Sequence, residues 1–178
     1  MTMAAGRPLG RRGLLGWPGL VALAGCGFHP LYASNGAEPG PARTGLGLIQ
    51  IGLMPERIGQ VLHEELETRL DYGDASAAKR FNLSVSFGIE QQALGTQLDT
   101  VATRVRFIGR ATWTLTTLDA RRATVTTGSV RAVDGLNTFD EQYFAQQLET
   151  DTVNRRIAGA VADQITADLA RWFAKHPA

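Results

Sequence analysis

The chain has 178 residues, with 18 Lys and Arg against 17 Asp and Glu, and a formal net charge of +1. So small a net charge gives no electrostatic reason to expect a nucleic-acid partner. The single cysteine excludes an intrachain disulfide and a cysteine-ligated metal cluster. The length predicts one domain with one hydrophobic core.

Residues 1–25 predict a signal peptide. Three arginines among the first 12 residues precede an apolar run over residues 13–24, which is shorter than the about 20 residues that a membrane-spanning helix requires. The run ends in Leu23-Ala24-Gly25-Cys26, which resembles the lipobox of bacterial lipoproteins. We therefore expect cleavage before Cys26 and lipid attachment to it. The alternative is an ordinary signal peptide that has a cysteine at its cleavage site by chance.

Lipidation of Cys26 predicts a protein that stays on its membrane, because two or more acyl chains anchor durably where one chain is marginal. In bacterial lipoproteins an aspartate after the cysteine commonly retains the product at the inner membrane, and here that position is Gly27. We therefore expect an outer-membrane protein, lipid-anchored on the periplasmic side. The export route stays open, since Arg11 and Arg12 fit both an ordinary basic segment and a degenerate twin-arginine signal. The cleaved chain carries 15 basic and 17 acidic residues, a formal charge of −2.

Residues 26–45 predict a lipidated N-terminus and a flexible tether. Gly, Pro, Ser, Asn and Ala dominate the 13 residues from Ala33 to Gly45, a composition that does not build a core. A coil of that length spans on the order of 20 Å. The preceding Phe28, Leu31 and Tyr32 fit either a contact at the membrane interface or with a partner, or an apolar plug on the domain's own edge.

Residues 46–175 predict a single domain that begins with a strand and a helix. Residues 46–53 are mostly apolar and predict a buried strand, which Pro55 ends. Residues 56–71 place apolar side chains at helical spacing, which predicts an amphipathic helix. Residues 81–89 alternate with a period of two and predict a half-buried strand, followed by a loop or bend around Gly95.

Two further strands and a helical region complete the predicted domain. Residues 101–118 place apolar side chains on one face and arginines and threonines on the other, and the length of this strand predicts a bend at Gly109. A turn at residues 119–121 leads into a strand over residues 123–133. Thr138-x-x-Glu141 is a capping box. It opens a helical region, with a break near residues 150–152 left open, whose apolar stripe comprises Phe144, Leu148, Ile157, Val161, Ile165, Leu169, Trp172 and Phe173.

The predicted order of elements is β-α-β-β-β-α. An amphipathic helix buries its apolar stripe by packing on the apolar face of a sheet. We therefore expect an α+β two-layer sandwich, in which two helices pack on a sheet of about four strands.

Arginines on the polar face of the third strand are the candidate binding residues. Arg104 and Arg106 point the same way, about 6.6 Å apart along the strand, and Arg110 extends the row. Arg121 and Arg122 fall at the tip of the following hairpin. Guanidinium groups bind phosphates bidentately, so these residues predict contacts with an anionic lipid. The alternatives are a solvated sheet face, or ion pairs with carboxylates of this domain or of a partner.

Catalytic and metal-binding patterns are absent from the sequence. The three histidines lie at positions 29, 63 and 176, in the tether, on a helix and at the C-terminus, which gives no metal triad and no Cys/His pair. The sequence contains neither a glycine-rich phosphate loop nor a Gly-x-Ser-x-Gly elbow. We therefore expect no enzymatic activity, no metal and no cofactor.

The whole pattern resembles a known family. The start Cys26-Gly27-Phe28-His29-Pro30-Leu31-Tyr32 is followed by a strand, Pro55-Glu56-Arg57 with a helix, three strands and a long helix containing Ala162-Asp163-Gln164-Ile165. This arrangement resembles the alphaproteobacterial form of the LptE family of lipopolysaccharide-assembly lipoproteins. The resemblance implies an outer-membrane lipoprotein that plugs the β-barrel LptD, helps it to assemble and contributes to lipopolysaccharide transport to the outer leaflet. The alternative is an auxiliary lipid-binding lipoprotein of a periplasm-spanning lipid transporter.

Overall fold

The computed structural model describes residues 40–70, 78–96, 102–137 and 143–177. The predicted signal peptide, Cys26 and most of the predicted tether lie outside these ranges, as does the capping box at Thr138 and Glu141. Within the described residues, no helix is long and apolar enough to cross a membrane.

The described chain forms a four-stranded mixed sheet with helices on one face, in the order α-β-α-β-β-β-α. The strands lie side by side in sequence order; the first two pair in parallel and the others pair antiparallel. The predicted α+β two-layer architecture is confirmed, with one short helix added at the start. The elements are α1 (Pro41–Gly47), β1 (Ile49–Ile51), α2 (Arg57–Leu70), β2 (Phe81–Thr96), β3 (Ala102–Thr117), β4 (Thr124–Asn137) and α3 (Tyr143–Lys175).

The core lies between the sheet and the helices α2 and α3. Alternation along β2 and β3 points Leu83 and Leu115 toward the helices, and both side chains are fully buried. The apolar stripe of α3 packs on the same face, and Ile157, Val161 and Ile165 in it are at most 1% exposed. Burying an aliphatic side chain of this size contributes about 1.5–3 kcal/mol, so the sandwich is held mainly by this layer.

Gly109 has a different role from the predicted bend. β3 pairs with β2 and β4 through Gly109 without a shift in register. A Cβ atom at this position would collide with the Cγ2 atom of Ile157. The missing side chain therefore lets α3 approach the sheet closely, and the strand pairing continues through Gly109 without a break.

The start of the domain also differs from the prediction. Residues 41–47 form α1, where the sequence predicts the end of a tether and the start of a strand. Ala42 and Leu46, one helical turn apart, are 2% and 0% exposed. Gly45 lies directly against the ring of Phe173 in α3. Contact with α3 thus orders a segment whose composition alone favours a coil.

Two other elements are longer or more regular than predicted. β2 continues to Thr96 where the sequence predicts a loop or a bend around Gly95, and its register shifts on either side of Gly95. α3 is continuous through residues 150–152, so the break left open there does not occur. Leu148, assigned to its apolar stripe, is 70% exposed and lies outside the core.

Candidate functional site

The face of the sheet opposite the helices is polar, and we call it the open face. Side chains of alternate residues in β2, β3 and β4 point to it, and the strand register sets them side by side. Ile108 is an exception, since it falls on this face by alternation and is only 2% exposed. The polar members are Asn82, Ser84, Ser86, Glu90, Gln92, Arg104, Arg106, Arg110, Thr112, Thr114, Thr116, Thr127, Ser129 and Arg131.

The open face has two chemically different ends. Near the start of β3 it carries Arg104, Arg106 and Arg110, all exposed, as the alternation of the sequence predicts. Toward the end of β3 it carries short hydroxyl side chains, including those of Thr112 and Thr114. We call the first part the arginine end and define it by Arg104, Arg106, Arg110 and Arg131.

Arg131 is a member of the arginine end that the sequence alone did not single out. It lies in β4 directly opposite Arg110 of β3, and it is exposed. Like charges directly opposite each other on a sheet repel. Finding this pair requires the register between β3 and β4, and that register depends on the hairpin between them.

Glu90 partly compensates the positive charge of the arginine end. Arg110 donates a hydrogen bond from Nη1 to Glu90 Oε2, and Gln92 donates one to Glu90 Oε1 at 3.0 Å. These two bonds, with the nearby positive charge of Arg110 and Arg131, lower the pKa of the Glu90 carboxyl. Glu90 is therefore ionised at neutral pH and neutralises one arginine.

Three cations of the arginine end remain uncompensated. Within the described residues, the side chains of Arg104, Arg106 and Arg131 form no ion pair. Exposed guanidinium groups without a carboxylate partner retain all their donors for an incoming anion. The arginine end can therefore bind phosphate-bearing groups.

Arg121 and Arg122 do not join this cluster. They lie in the turn between β3 and β4, whose backbone amides donate hydrogen bonds to Asp119 Oδ1 at 3.2 and 3.0 Å. The hydroxyl of Thr117 donates to the same oxygen at 2.6 Å and is the main cause of the lowered pKa of Asp119. Eleven residues of strand, or roughly 36 Å, separate Arg106 from Thr117. The five predicted arginines thus form two groups at opposite ends of the sheet.

Ion pairs on the helical side connect α2, α3 and β4. Arg57 pairs with Asp151 at 3.2 Å and Arg69 with Asp163 at 2.6 Å, and both pairs join α2 to α3. Arg156 in α3 pairs with Asp134 in β4 at 2.8 Å. These arginines already have carboxylate partners, which distinguishes them from Arg104, Arg106 and Arg131.

A cavity of about 580 Å³ lies beside β1, away from the arginine end. Its lining mixes apolar and polar side chains and does not bring together three residues of the metal-ligating types. Among the described residues as a whole, no group of three or more His, Cys, Asp or Glu is placed to hold a metal ion. The lining residues are Ile49, Gln50, Ile51, Glu67, Thr68, Leu70 and Lys79.

Comparison with solved structures relates this fold to bacterial lipoproteins. A protein from Caulobacter crescentus described as a lipoprotein is 28% identical, over 77% of this chain and 98% of its own, with a TM-score of 0.61. Rare lipoprotein B from Shewanella oneidensis is 13% identical, over 69% of this chain and 92% of its own, with a TM-score of 0.52. A scan of protein-family models and a search of curated proteins gave no match. The chain therefore has the fold of bacterial proteins that are described as lipoproteins.

Proposed function

We propose that this protein is an outer-membrane lipoprotein of the LptE family, in its alphaproteobacterial form. In this proposal it is anchored through Cys26 on the periplasmic side and serves as plug and assembly partner of an LptD-like β-barrel. It contributes to lipopolysaccharide transport to the outer leaflet by binding and positioning, without catalysis. The observation that carries the proposal is the arginine end, where three uncompensated guanidinium groups lie on one exposed sheet face.

The arginine end suits the phosphate groups of lipopolysaccharide. Planar guanidinium groups match a phosphate with two parallel hydrogen bonds, which a lysine cannot reproduce. Arg104 and Arg106 are about 6.6 Å apart along one strand, and Arg131 extends the positive surface onto β4. A rigid sheet holds these side chains at constant spacing, so it loses little entropy when it binds a ligand with several phosphates.

The rest of the open face suits the interior of a barrel. The lumen of an outer-membrane barrel is polar and wet. Hydroxyl and amide side chains such as Ser84, Thr112 and Asn82 exchange hydrogen bonds with such a wall directly or through water. An exposed apolar sheet would not fit that environment, so the composition of the open face supports the plug role.

The sequence resemblance and the structural comparisons are both compatible with a lipoprotein. Rare lipoprotein B from Shewanella oneidensis shares the fold of this chain. The start of the cleaved chain, Cys26 to Tyr32, resembles that of the family. The alternative role, a lipid-binding lipoprotein of a transporter without a barrel, uses the same fold, so the partner distinguishes the two.

Co-purification tests the plug role. The tagged protein is isolated from membranes in mild detergent, and the proteins that accompany it are identified and quantified. We expect a large outer-membrane β-barrel in near-equal amount. Isolation of the protein alone, or with the subunits of a transporter that lacks a barrel, would overturn the proposal in favour of the alternative.

A further inference from the structure

The end of the sheet opposite the arginine end is where the domain begins and ends. Phe81, the first residue of β2, pairs with Thr117, the last residue of β3. The ring of Phe81 lies 5.4 Å from that of Phe173, near the C-terminus of α3. Phe173 also contacts Gly45 in α1. The first and last helices therefore meet at this end of the sheet.

Several exposed cations gather at the same end. Arg80 directly precedes β2, and its carbonyl accepts a hydrogen bond from the amide of Leu118 at 2.9 Å. This bond places Arg80 beside the hairpin that carries Arg121 and Arg122. Two residues after Phe173, Lys175 ends α3. We call this surface the basic tip and define it by Arg80, Leu118, Arg121, Arg122, Trp172 and Lys175.

The basic tip has an excess of positive charge. Within the described ranges, none of its four cationic side chains forms an ion pair. Asp119 is a carboxylate of the hairpin itself, and hydrogen bonds from Thr117 and the turn backbone engage it. Asp168, about one turn before Trp172, pairs with Arg171. The arginines of the tip are therefore free to meet anions outside the protein.

Partly exposed apolar side chains accompany these cations. Trp172 is half-buried, with its ring 4.9 Å from that of Phe173 and stacked 4.7 Å from that of His176. Leu118 is 44% exposed. A tryptophan beside arginines and lysines is typical of protein surfaces at the level of lipid headgroups, because the indole has an apolar body and a polar N–H.

We propose that the basic tip rests on the membrane that carries the anchor and binds its anionic phospholipid headgroups. This inference rests on the proposed lipid anchor at Cys26. The described chain begins at Gly40, next to α1 and hence at this end of the sheet. The 14 residues from Cys26 to Pro39 precede the described domain, and taken as the flexible tether that the sequence predicts they span on the order of 20 Å, whereas strands of 16 residues are about 50 Å long. In this proposal the tether keeps the basic tip, and not the arginine end, within reach of the headgroups.

Tryptophan fluorescence provides a test on the lipidated protein. Cleavage before Cys26 leaves two tryptophans, of which Trp113 is 4% exposed in the core and Trp172 lies in the tip. The protein is reconstituted into vesicles that contain brominated lipids, with or without phosphatidylglycerol, and the Trp172→Phe variant supplies the Trp113 background. We expect bromine to quench Trp172 in the anionic vesicles and the quenching to fall with added salt.

Charge variants make the test specific to the tip. A basic residue at an anionic surface strengthens binding about fivefold, so Arg121→Gln with Arg122→Gln should lower the ratio of docked to undocked protein by about 25-fold. The matched control, Arg57→Gln in α2 with Arg155→Gln in α3, removes the same charge from the helical side. The Arg57–Asp151 pair that it breaks is exposed and adds little stability, so quenching should be unchanged. Equal quenching in neutral and anionic vesicles overturns the proposal, and so does equal quenching of the tip variant and the wild type.

The lipid on Cys26 is measured separately, by the mass of the purified chain. If that mass shows no lipid, the lipoprotein proposal fails while the basic tip is still testable. In that case the unanchored chain is sedimented with the same vesicles. Weaker binding of the tip variant than of the control then supports the tip, and equal binding overturns it.

Discussion

At the scale of single residues, the charge of the arginine end is set by the pairing of Arg110 with Glu90. Arg110 lies between Glu90 in β2 and Arg131 in β4, and its bond to Glu90 relieves the repulsion between the two arginines. The same bond occupies donors that a phosphate would otherwise receive. Glu90 therefore stabilises the face and lowers its affinity for anions.

Replacing Glu90 should strengthen lipopolysaccharide binding. Glu90→Gln releases Arg110, and because an exposed ion pair is weak, we expect a gain in affinity of only about two- to fivefold. Glu64→Gln, which removes an equal charge from the exposed side of α2, is the control and should change little. Equilibrium binding to purified lipopolysaccharide measures both, and equal affinities of the two variants would contradict this role of Glu90.

The effect of Glu90 on lipopolysaccharide binding should depend on pH in one direction only. The pKa of Glu90 is lowered in the fold, so its pairing with Arg110 persists above the ordinary glutamate value of about 4.3 and is lost only as the pH falls through the lowered pKa. The difference between the wild type and Glu90→Gln should therefore be constant near neutral pH and vanish at strongly acidic pH. A difference that already disappears at pH 6 would point to another group.

The three β3 arginines of the arginine end were predicted from the sequence because side chains alternate between the two faces of a strand. Arg104, Arg106 and Arg110 are all at even-numbered positions of β3, so alternation places them on one face. The structure has all three on the exposed face. Arg131 joins them only through the register of β3 with β4, which the sequence does not display. Arg121 and Arg122 lie far away because β3 continues unbroken for 16 residues and they follow its end.

At the scale of elements, close contact between α3 and the sheet depends on glycine. Gly109 leaves room for Ile157, and Gly128 in β4 leaves room for the indole of Trp113. From sequence alone, a glycine in a strand indicates either a bend or a close approach. Only the position of α3 over the sheet distinguishes the two.

Substitution of Gly109 tests this contact. In Gly109→Ala the added methyl group would meet Ile157, and overpacking of a well-packed core costs about 1–3 kcal/mol. Gly88→Ala, on the open face of β2, is the control, since no atom lies within 4 Å of its added Cβ. Thermal or denaturant unfolding measures both free energies of unfolding. If Gly109→Ala were as stable as Gly88→Ala, α3 would not pack as closely as described.

The helix α1 was not predicted from the sequence. Its residues are small and rich in Gly and Pro, so composition alone predicts a coil. Ala42 and Leu46 bury their side chains and Gly45 admits Phe173, and these are contacts with α3, more than a hundred residues away in the chain. A single helix of seven residues is not stable by itself, so no local signal was available.

At the scale of the whole molecule, the two groups of arginines have different roles. The arginine end and the basic tip lie at opposite ends of strands about 50 Å long. In the proposed arrangement the tip rests on the inner-leaflet headgroups beside the anchor, and the open face with its arginine end extends into the barrel lumen. One rigid sheet would then span the distance from the membrane surface to the site of lipopolysaccharide contact.

Site-specific photocrosslinking in cells that contain the barrel shows whether lipopolysaccharide contacts the arginine end. A photoreactive residue replaces Val133, which is 51% exposed and lies on the open face two residues from Arg131, or replaces Leu118 in the basic tip. We expect lipopolysaccharide adducts at position 133 and none at position 118. Arg104→Glu with Arg106→Glu should reduce the adduct about tenfold or more without unfolding the domain, because exposed charges contribute under about 1 kcal/mol each. Absence of the adduct at position 133, or an adduct that survives the double charge reversal, would mean that lipopolysaccharide does not bind through the arginine end.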